Sequence, residues 1–193
     1  METQETDWEN CYQVGDTQWD KGEPSPGLVD WLNEHPELTK GTVVVPGCGF
    51  GHDVRAWAKA GFDACGYDIA ESAVAGAREQ SPPDLSTRYG LGDFLSDEPS
   101  ELFDWVFEHT FYCAIHSDRR EDHKNAVHRW LRSGGQFLAV HYFIENDDPP
   151  PYGTDRDEVI ARFSDKFELI DDWVPRSYPN RTNLERMFWW RKR

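Results

Sequence analysis

The feature that most constrains the fold is a short apolar run that ends in a glycine-rich loop. Thr42–Val45 reads TVVV and is followed at once by PGCGFG, which contains Gly47, Gly49 and Gly51. An unbroken apolar run of this length is typical of a strand buried on both faces of a sheet. Glycines after such a strand allow a tight turn and a close approach of the backbone to a ligand. The sequence therefore predicts an α/β protein with a ligand site at the end of its first strand.

Strands and helices alternate along the rest of the chain. The predicted strands are Thr42–Val45, Phe62–Ile69, Thr87–Gly92, one within Leu102–Ala114, Gln136–Phe143, Phe167–Val174 and Met187–Trp190, and the last is followed by a solvated end. The predicted helices are Leu28–Leu38, Asp53–Ala60, Ala70–Gln80, Arg119–Arg132 and Arg156–Phe163. This order predicts a Rossmann-like α/β fold: a seven-stranded, mostly parallel sheet with an antiparallel C-terminal hairpin and helices on both faces. We expect residues 1–193 to form a single domain in which residues 1–40 cover the ligand site.

Charge and cysteine content exclude several classes of protein. A formal net charge of −16 and a pI of about 4.7 disfavour binding to nucleic acids and to anionic membranes. The acidic N-terminus does not resemble a signal peptide, and no apolar run approaches membrane-spanning length, so we expect a cytoplasmic protein. The four cysteines form no CxxC pair, and we expect neither a disulfide framework nor a metal site.

Three acidic or aromatic residues follow the next two predicted strands. Asp68 ends the second strand about twenty residues beyond the glycine loop, where a carboxylate can accept hydrogen bonds from a ribose; alternatively, it caps the following helix. Asp93 and Phe94 end the third strand and suit an adenine, or simply form a turn. The dinucleotide fingerprint requires a third glycine at position 52, where this chain has His52, and this departure disfavours an NAD site.

Several longer segments resemble the thiopurine S-methyltransferase family, and most closely its halide/thiol methyltransferase branch. They are WENCYQVGDTQWDKGEPSP (8–26), VPGCGFGHDV (Val45–Val54), GYDIAESAV (Gly66–Val74), LFDWVFEHTFYCAI (Leu102–Ile115) and PPPY (Pro149–Tyr152). The resemblance spans nearly the whole chain and implies S-adenosylmethionine as the methyl donor, without a metal. It also implies that Trp8, Tyr12 and Trp19 fold over the cofactor, although without it we would interpret these rings as ordinary core. The same matching implies that Gly47, Gly49 and Asp68 line the methionine and ribose parts and that Asp93 and Phe94 line the adenine.

The resemblance also indicates where the methyl acceptor binds. Tyr142 and Tyr152 match pocket tyrosines of the halide/thiol branch, so we expect them to contact a small thiol, sulfide or halide. His109 matches a position near the cofactor; it is also a candidate base, as is His141, or else a core histidine. Phe111 and Tyr112 are expected either to form a wall of the pocket or to pack in the core. A thiolate or halide is already a good nucleophile, so direct in-line displacement requires mainly proximity, orientation and exclusion of water.

Three alternatives remain open at this point. The first is an O- or N-methyltransferase that acts on a larger metabolite. The second is an NAD-dependent oxidoreductase, which the missing third glycine and the absence of a Tyr-x-x-x-Lys pair disfavour. The third is a non-catalytic module that binds S-adenosylmethionine without turnover. The acceptor itself is not specified by the sequence, and we expect a monomer or a weak homodimer.

Overall fold

The fold is built around one mixed sheet, seen in a computed structural model that describes residues 6–86, 88–145 and 150–193. Its strands within these residues are β1 (Thr42–Pro46), β2 (Asp63–Asp68), β3 (Tyr89–Leu91), β4 (Phe103–His109), β5 (Leu131–Tyr142), β6 (Phe167–Trp173) and β7 (Glu185–Lys192). The helices are α1 (Trp8–Val14), α2 (Pro26–Glu34), α3 (His52–Lys59), α4 (Glu71–Glu79), α5 (Pro83–Ser86), α6 (Arg120–Trp130) and α7 (Arg156–Phe163).

The order of the strands confirms the predicted fold class. It runs β3-β2-β1-β4-β5-β7-β6, and the first five strands are parallel. Strand β7 pairs antiparallel with both β5 and β6, so it inserts between them and leaves β6 at the edge. The chain order of the strands reverses at β1, since β2 lies on one side of it and β4 on the other. In open α/β sheets, such a reversal creates a crevice at the carboxyl ends of the strands, where ligands bind.

Both faces of the sheet are covered by apolar residues from the helices. Val44 points to one cluster, which contains Val127 of α6 and Phe163 of α7. Val43 and Val45 point to the other cluster, on the side of α2 and α3. Successive residues of a strand point to opposite faces, so this division explains why positions 43–45 are all valine.

Four tryptophans form a cluster on the side of α2 and α3. Their ring centroids are 5.4–6.2 Å apart in the contacting pairs, and the rings are tilted or edge-on. The cluster consists of Trp31 from α2, Trp57 from α3, Trp105 from β4 and Trp189 from β7. Aromatic pairs prefer such offset geometries, which add to the stabilisation from burial.

The structure differs from the sequence predictions in several segments. Helices α1 and α5 were not predicted; α1 begins after Asp7, whose carboxylate accepts a hydrogen bond from the Asn10 N–H. Helix α6 ends at Trp130, and the next residues already belong to β5. Strand β7 continues to Lys192, two residues beyond the predicted strand, although Arg191 and Arg193 are exposed as expected. Residues 1–5, Thr87 and Pro149, on which parts of the predictions fall, lie outside the described residues.

Candidate functional site

A cavity of about 690 Å³ lies at the carboxyl ends of the parallel strands. Its walls come from residues 6–21, the loops after β1, β2, β3, β4 and β5, and residues 180–181. A volume of this order is typical of small-molecule sites. Ten of the eleven residues predicted from the sequence for the site line this cavity: Trp8, Tyr12, Trp19, Gly47, Asp68, Asp93, Phe94, His109, Tyr142 and Tyr152.

The glycine loop after β1 contributes one glycine directly to the cavity wall. Gly47 has a φ of +57° and a Cβ at this position would lie 2.6 Å from the Phe111 ring, so any larger residue is excluded. Gly49, the eleventh predicted residue, does not border the cavity. Its φ is +52° and its N–H donates to the Asp68 carboxylate at 2.9 Å, so Gly49 positions Asp68, which lines the cavity.

Asp68 joins the ends of β1 and β2. One carboxylate oxygen accepts from the Gly49 N–H, and the other accepts from the Ala70 N–H at 3.0 Å. Burial raises the pKa of Asp68, and the two N–H groups act in the opposite direction. Ala70 is the N-cap residue of α4, so Asp68 is not the cap that one interpretation of the sequence proposed. Its carboxylate is held rigidly at the cavity wall.

Asp93 and Phe94 both form a turn and border the cavity, the two roles that the sequence offered as alternatives. The Asp93 carboxylate accepts hydrogen bonds from the Leu95 N–H and the Ser96 hydroxyl, which makes a turn. Phe94 is 3% exposed and packs on Trp130 at 4.8 Å between ring centroids. Both residues nevertheless border the cavity, so the turn presents them to a ligand.

The N-terminal aromatic residues form a covering wall. Trp19 lies edge-on to Trp8 at 5.3 Å and to Tyr12 at 5.7 Å, and the Trp19 N–H donates to the Tyr12 hydroxyl at 3.3 Å. All three line the cavity. Helix α1, which carries two of them, has no buried residue, so it is not part of the core.

Two polar contacts attach this wall to the rest of the protein. The Glu9 carboxylate accepts hydrogen bonds from the Ser72 N–H at 2.9 Å and the Ser72 hydroxyl at 2.6 Å, in the first turn of α4. His52 contacts Asp20 at 3.0 Å. The sequence analysis missed both contacts, because they join residues that are 63 and 32 positions apart in the chain and no local pattern marks them.

His109 lies between two carboxylates at the end of β4. Its Nδ1 is 3.1 Å from Asp53 and its Nε2 is 3.6 Å from Glu185. Burial alone would lower the pKa of His109, but the two carboxylates outweigh it and raise the pKa to about 9. The side chain is therefore a cation at neutral pH, an environment that does not favour a general base.

Tyr142 and Tyr152 approach the cavity from the end of β5 and from the following loop. The Arg181 guanidinium lies over the Tyr142 ring at 4.9 Å and donates to Glu185 at 3.1 Å. Arg181 also lines the cavity, and the sequence analysis missed it. It lies in a turn-rich stretch without a recognisable motif, and only the pairing of β7 with β5 brings it to the site.

His141 and Tyr112 do not line the cavity. The His141 side chain is fully buried beside Glu108, at 3.2 Å, and burial lowers its pKa to about 3. It points away from the site because it is one residue before Tyr142 on a strand, where alternate side chains face opposite sides. Tyr112 is fully buried and its hydroxyl donates to Glu158 at 2.9 Å, whereas Phe111 lines the cavity.

The described residues contain no cluster of histidine, cysteine or acidic side chains arranged to hold a metal ion. Within the same part of the chain, no helix has the length and hydropathy that a membrane crossing requires.

Comparison with known proteins identifies the family. The family model of thiopurine S-methyltransferase matches residues 3–173. The chain belongs to this family. As a member of it, the protein is an S-adenosylmethionine-dependent methyltransferase, as its fold and cavity would suggest.

Individual relatives of this methyltransferase include two curated plant proteins. Thiocyanate methyltransferase 1 of Arabidopsis thaliana is 33% identical over 98% of this chain and 86% of its own length. Probable thiol methyltransferase 2 of the same plant is 30% identical over 96% of this chain and 84% of its own length.

A solved structure has the same fold. It is the Burkholderia thailandensis 1,6-didemethyltoxoflavin-N1-methyltransferase with bound 1,6-didemethyltoxoflavin and S-adenosylhomocysteine. Its TM-score is 0.75 at 17% identity, covering 96% of this chain and 85% of that one. The predicted Rossmann-like methyltransferase fold is therefore confirmed.

Proposed function

We propose that this methyltransferase transfers the methyl group of S-adenosylmethionine to a small, soft nucleophile: a thiol, sulfide, thiocyanate or halide. The observation that carries the proposal is that a single cavity brings together the glycine loop, Asp68, the N-terminal aromatic rings and the two acceptor-side tyrosines. The names of the plant relatives, a thiocyanate and a thiol methyltransferase, support the same class of acceptor.

The residues present suit S-adenosylmethionine. Gly47 has no side chain, so its backbone is accessible to a ligand in the cavity. A larger residue is excluded at this position because its Cβ would collide with Phe111. Asp68 offers a fixed carboxylate to a ribose, and Asp93 and Phe94 offer an acceptor and a ring edge to an adenine. Trp8, Tyr12 and Trp19 supply aromatic faces to a cation, which is the charge that a sulfonium carries. When bound, the cofactor supplies an electrophilic methyl group.

The protein's own contribution is binding, orientation and exclusion of water. The N-terminal wall covers the cavity, and Tyr142 and Tyr152 restrict the space beside it. His109 is held as a cation between Asp53 and Glu185, so it is not available as a general base. We therefore infer that the acceptor enters as an anion that has already lost its proton in solution. For such a nucleophile, proximity and orientation supply most of the rate enhancement.

Quantification of S-adenosylhomocysteine tests the proposed function. The purified protein is incubated with S-adenosylmethionine and, in parallel, with sulfide, methanethiol, thiocyanate, iodide or a larger aromatic thiol. We expect coproduct above the acceptor-free control with at least one small acceptor, and less with the aromatic thiol. Binding of S-adenosylmethionine without coproduct from any acceptor would instead support a larger substrate or a non-catalytic role.

A matched pair of tryptophan variants tests the assignment of the N-terminal wall. Trp19→Leu removes an aromatic ring from the cavity, and we expect the Kd for S-adenosylmethionine to rise about tenfold, the range of one cation–π contact. Trp173→Leu removes a half-buried tryptophan from β6, outside the cavity, and should leave this Kd unchanged. Equal Kd values for both variants would contradict the assignment.

We also propose that the enzyme is cytoplasmic and is a monomer or a weak homodimer, with residues 1–40 as part of its single domain. Light scattering at several protein concentrations tests the assembly state, and cell fractionation tests the location.

A further inference from the structure

Helix α6 carries two arginines that contact two different walls of the cavity. Arg120 is the first residue of the helix and Arg129 is the tenth. Nine residues of an α-helix turn through about two and a half turns and rise about 13 Å, so the two side chains leave opposite faces of the helix. The helix is anchored against β4 and β5, and both arginines therefore start from the same rigid element.

Arg120 holds the loop that carries Tyr152. One guanidinium nitrogen donates to the backbone carbonyls of Tyr152 at 3.1 Å and Gly153 at 2.8 Å. Arg120 is 5% exposed, and its guanidinium lies 4.7 Å over the Tyr112 ring. The Tyr152 N–H donates to the Cys113 carbonyl at 2.7 Å. The backbone of Tyr152 is thus held on both sides, which fixes the direction of its side chain into the cavity.

Arg129 holds the loop after β3 in the same way. Its guanidinium donates to the Leu95 carbonyl at 2.9 Å and, through two nitrogens, to the Asp97 carbonyl at 3.0 and 3.1 Å. These carbonyls come directly after Asp93 and Phe94, which line the adenine side of the cavity in the proposed function. Arg129 therefore fixes the loop that carries Asp93 and Phe94, which is a different wall of the cavity from the one that carries Tyr152.

We propose that Arg120 and Arg129 are positioning residues with separate effects: Arg120 determines affinity for the methyl acceptor, and Arg129 determines affinity for S-adenosylmethionine. The inference rests on the proposed function, because that function assigns one wall to the acceptor and the other to the cofactor. A planar guanidinium offers several N–H groups in a fixed fork and binds two carbonyls at once. An ammonium retains the charge but lacks that geometry, so lysine separates the effect of orientation from the effect of charge.

Arg120→Lys and Arg129→Lys form the matched pair for the test, since each retains its charge and each loses the guanidinium nitrogens that donate to two carbonyls. Circular dichroism and thermal melting first establish that both variants are folded. Hydrogen exchange measured by mass spectrometry should then rise at the amides of residues 152–154 for Arg120→Lys alone and of residues 94–98 for Arg129→Lys alone. This readout reports the local opening of each loop and needs no turnover.

The binding and kinetic constants should separate in the same way. For Arg120→Lys we expect acceptor KM to rise about tenfold, as for one lost charge-assisted hydrogen bond, with the Kd for S-adenosylmethionine unchanged. For Arg129→Lys we expect that Kd to rise by a similar factor, with acceptor KM at saturating cofactor unchanged. Wild-type protein, purified in parallel with each variant, is the control.

The proposal is overturned if both variants change the same constant, or if exchange rises in one loop while the constant assigned to the other wall changes. A wild-type enzyme that binds S-adenosylmethionine but methylates none of the acceptors refutes the proposed function instead. In that case the two exchange patterns and the two Kd values still decide whether the arginines act on separate walls.

Discussion

Replacing His109 by glutamine removes a buried cation from between Asp53 and Glu185 while retaining a polar side chain of similar reach. These carboxylates raise the pKa of His109 to about 9 against the effect of burial. A histidine pKa that is higher in the folded state than in the unfolded state stabilises the fold at low pH. This contribution is complete below the unfolded value of about 6.5 and is lost as the pH rises through about 9.

The size of the effect follows from the two pKa values. Linkage gives a contribution of about 3 kcal/mol to the free energy of unfolding at pH 6, about 1.4 kcal/mol at pH 8 and about 0.4 kcal/mol at pH 9. The difference between wild type and His109→Gln should therefore shrink by more than 2 kcal/mol across this range. Groups that do not contact His109 titrate alike in both proteins and cancel in the difference.

Urea unfolding at pH 6, 7, 8 and 9 measures this difference for wild type and His109→Gln. Trp173→Leu, which changes a residue outside the cavity and alters no titratable group, is the control and should show a flat difference. A flat difference for His109→Gln as well would refute the assignment of a stabilised cation between the two carboxylates. Because the acceptor is inferred to react as an anion, the rate should rise with pH through the pKa of the thiol acceptor, and this rise should be retained in His109→Gln.

Three further predictions concern other parts of the molecule. Phe163→Ala removes a fully buried ring from the core under α7 and should lower the free energy of unfolding by about 3–5 kcal/mol in urea titrations. Glu9→Gln weakens the contact of α1 with Ser72 and should raise the Kd for S-adenosylmethionine in calorimetry. The Tm should stay near that of wild type because α1 has no buried residue, and a large fall in Tm would contradict the view of α1 as a surface wall. Because burial lowers the pKa of His141 to about 3, the unfolded state binds more protons and stability should fall as the pH drops from about 6.5 towards 3. His141→Phe should flatten that fall in acid unfolding followed by circular dichroism.

The sheet and most of its boundaries were predictable from local patterns. The three valines of TVVV are consecutive because Val44 faces one core cluster and its neighbours Val43 and Val45 face the other. Glycines after β1 adopt positive φ and approach an aromatic ring too closely for a side chain, as their position after a buried strand predicts. Asp68 and Asp93 reach the cavity because the carboxyl ends of parallel strands meet at one edge.

The contacts that complete the site are long-range, and no local pattern predicts them. Arg181 reaches the cavity only because β7 inserts beside β5, an outcome of tertiary packing. The Glu9–Ser72 contact depends on α1, whose residues are all at least partly exposed and therefore show no apolar face. The sequence also provides no sign that His141 turns inward while Tyr142 faces the cavity, since this depends on the exact register of one strand.

The distribution of the tryptophans provides two separate optical signals. Trp8 and Trp19 border the cavity, so their fluorescence should respond when a ligand displaces water from the wall. Trp31, Trp57, Trp105 and Trp189 are close enough together for their excited states to couple, and none of them lines the cavity. Their near-ultraviolet circular dichroism should therefore follow the integrity of the packed core. A single unlabelled sample can in this way report ligand binding by emission and unfolding by ellipticity.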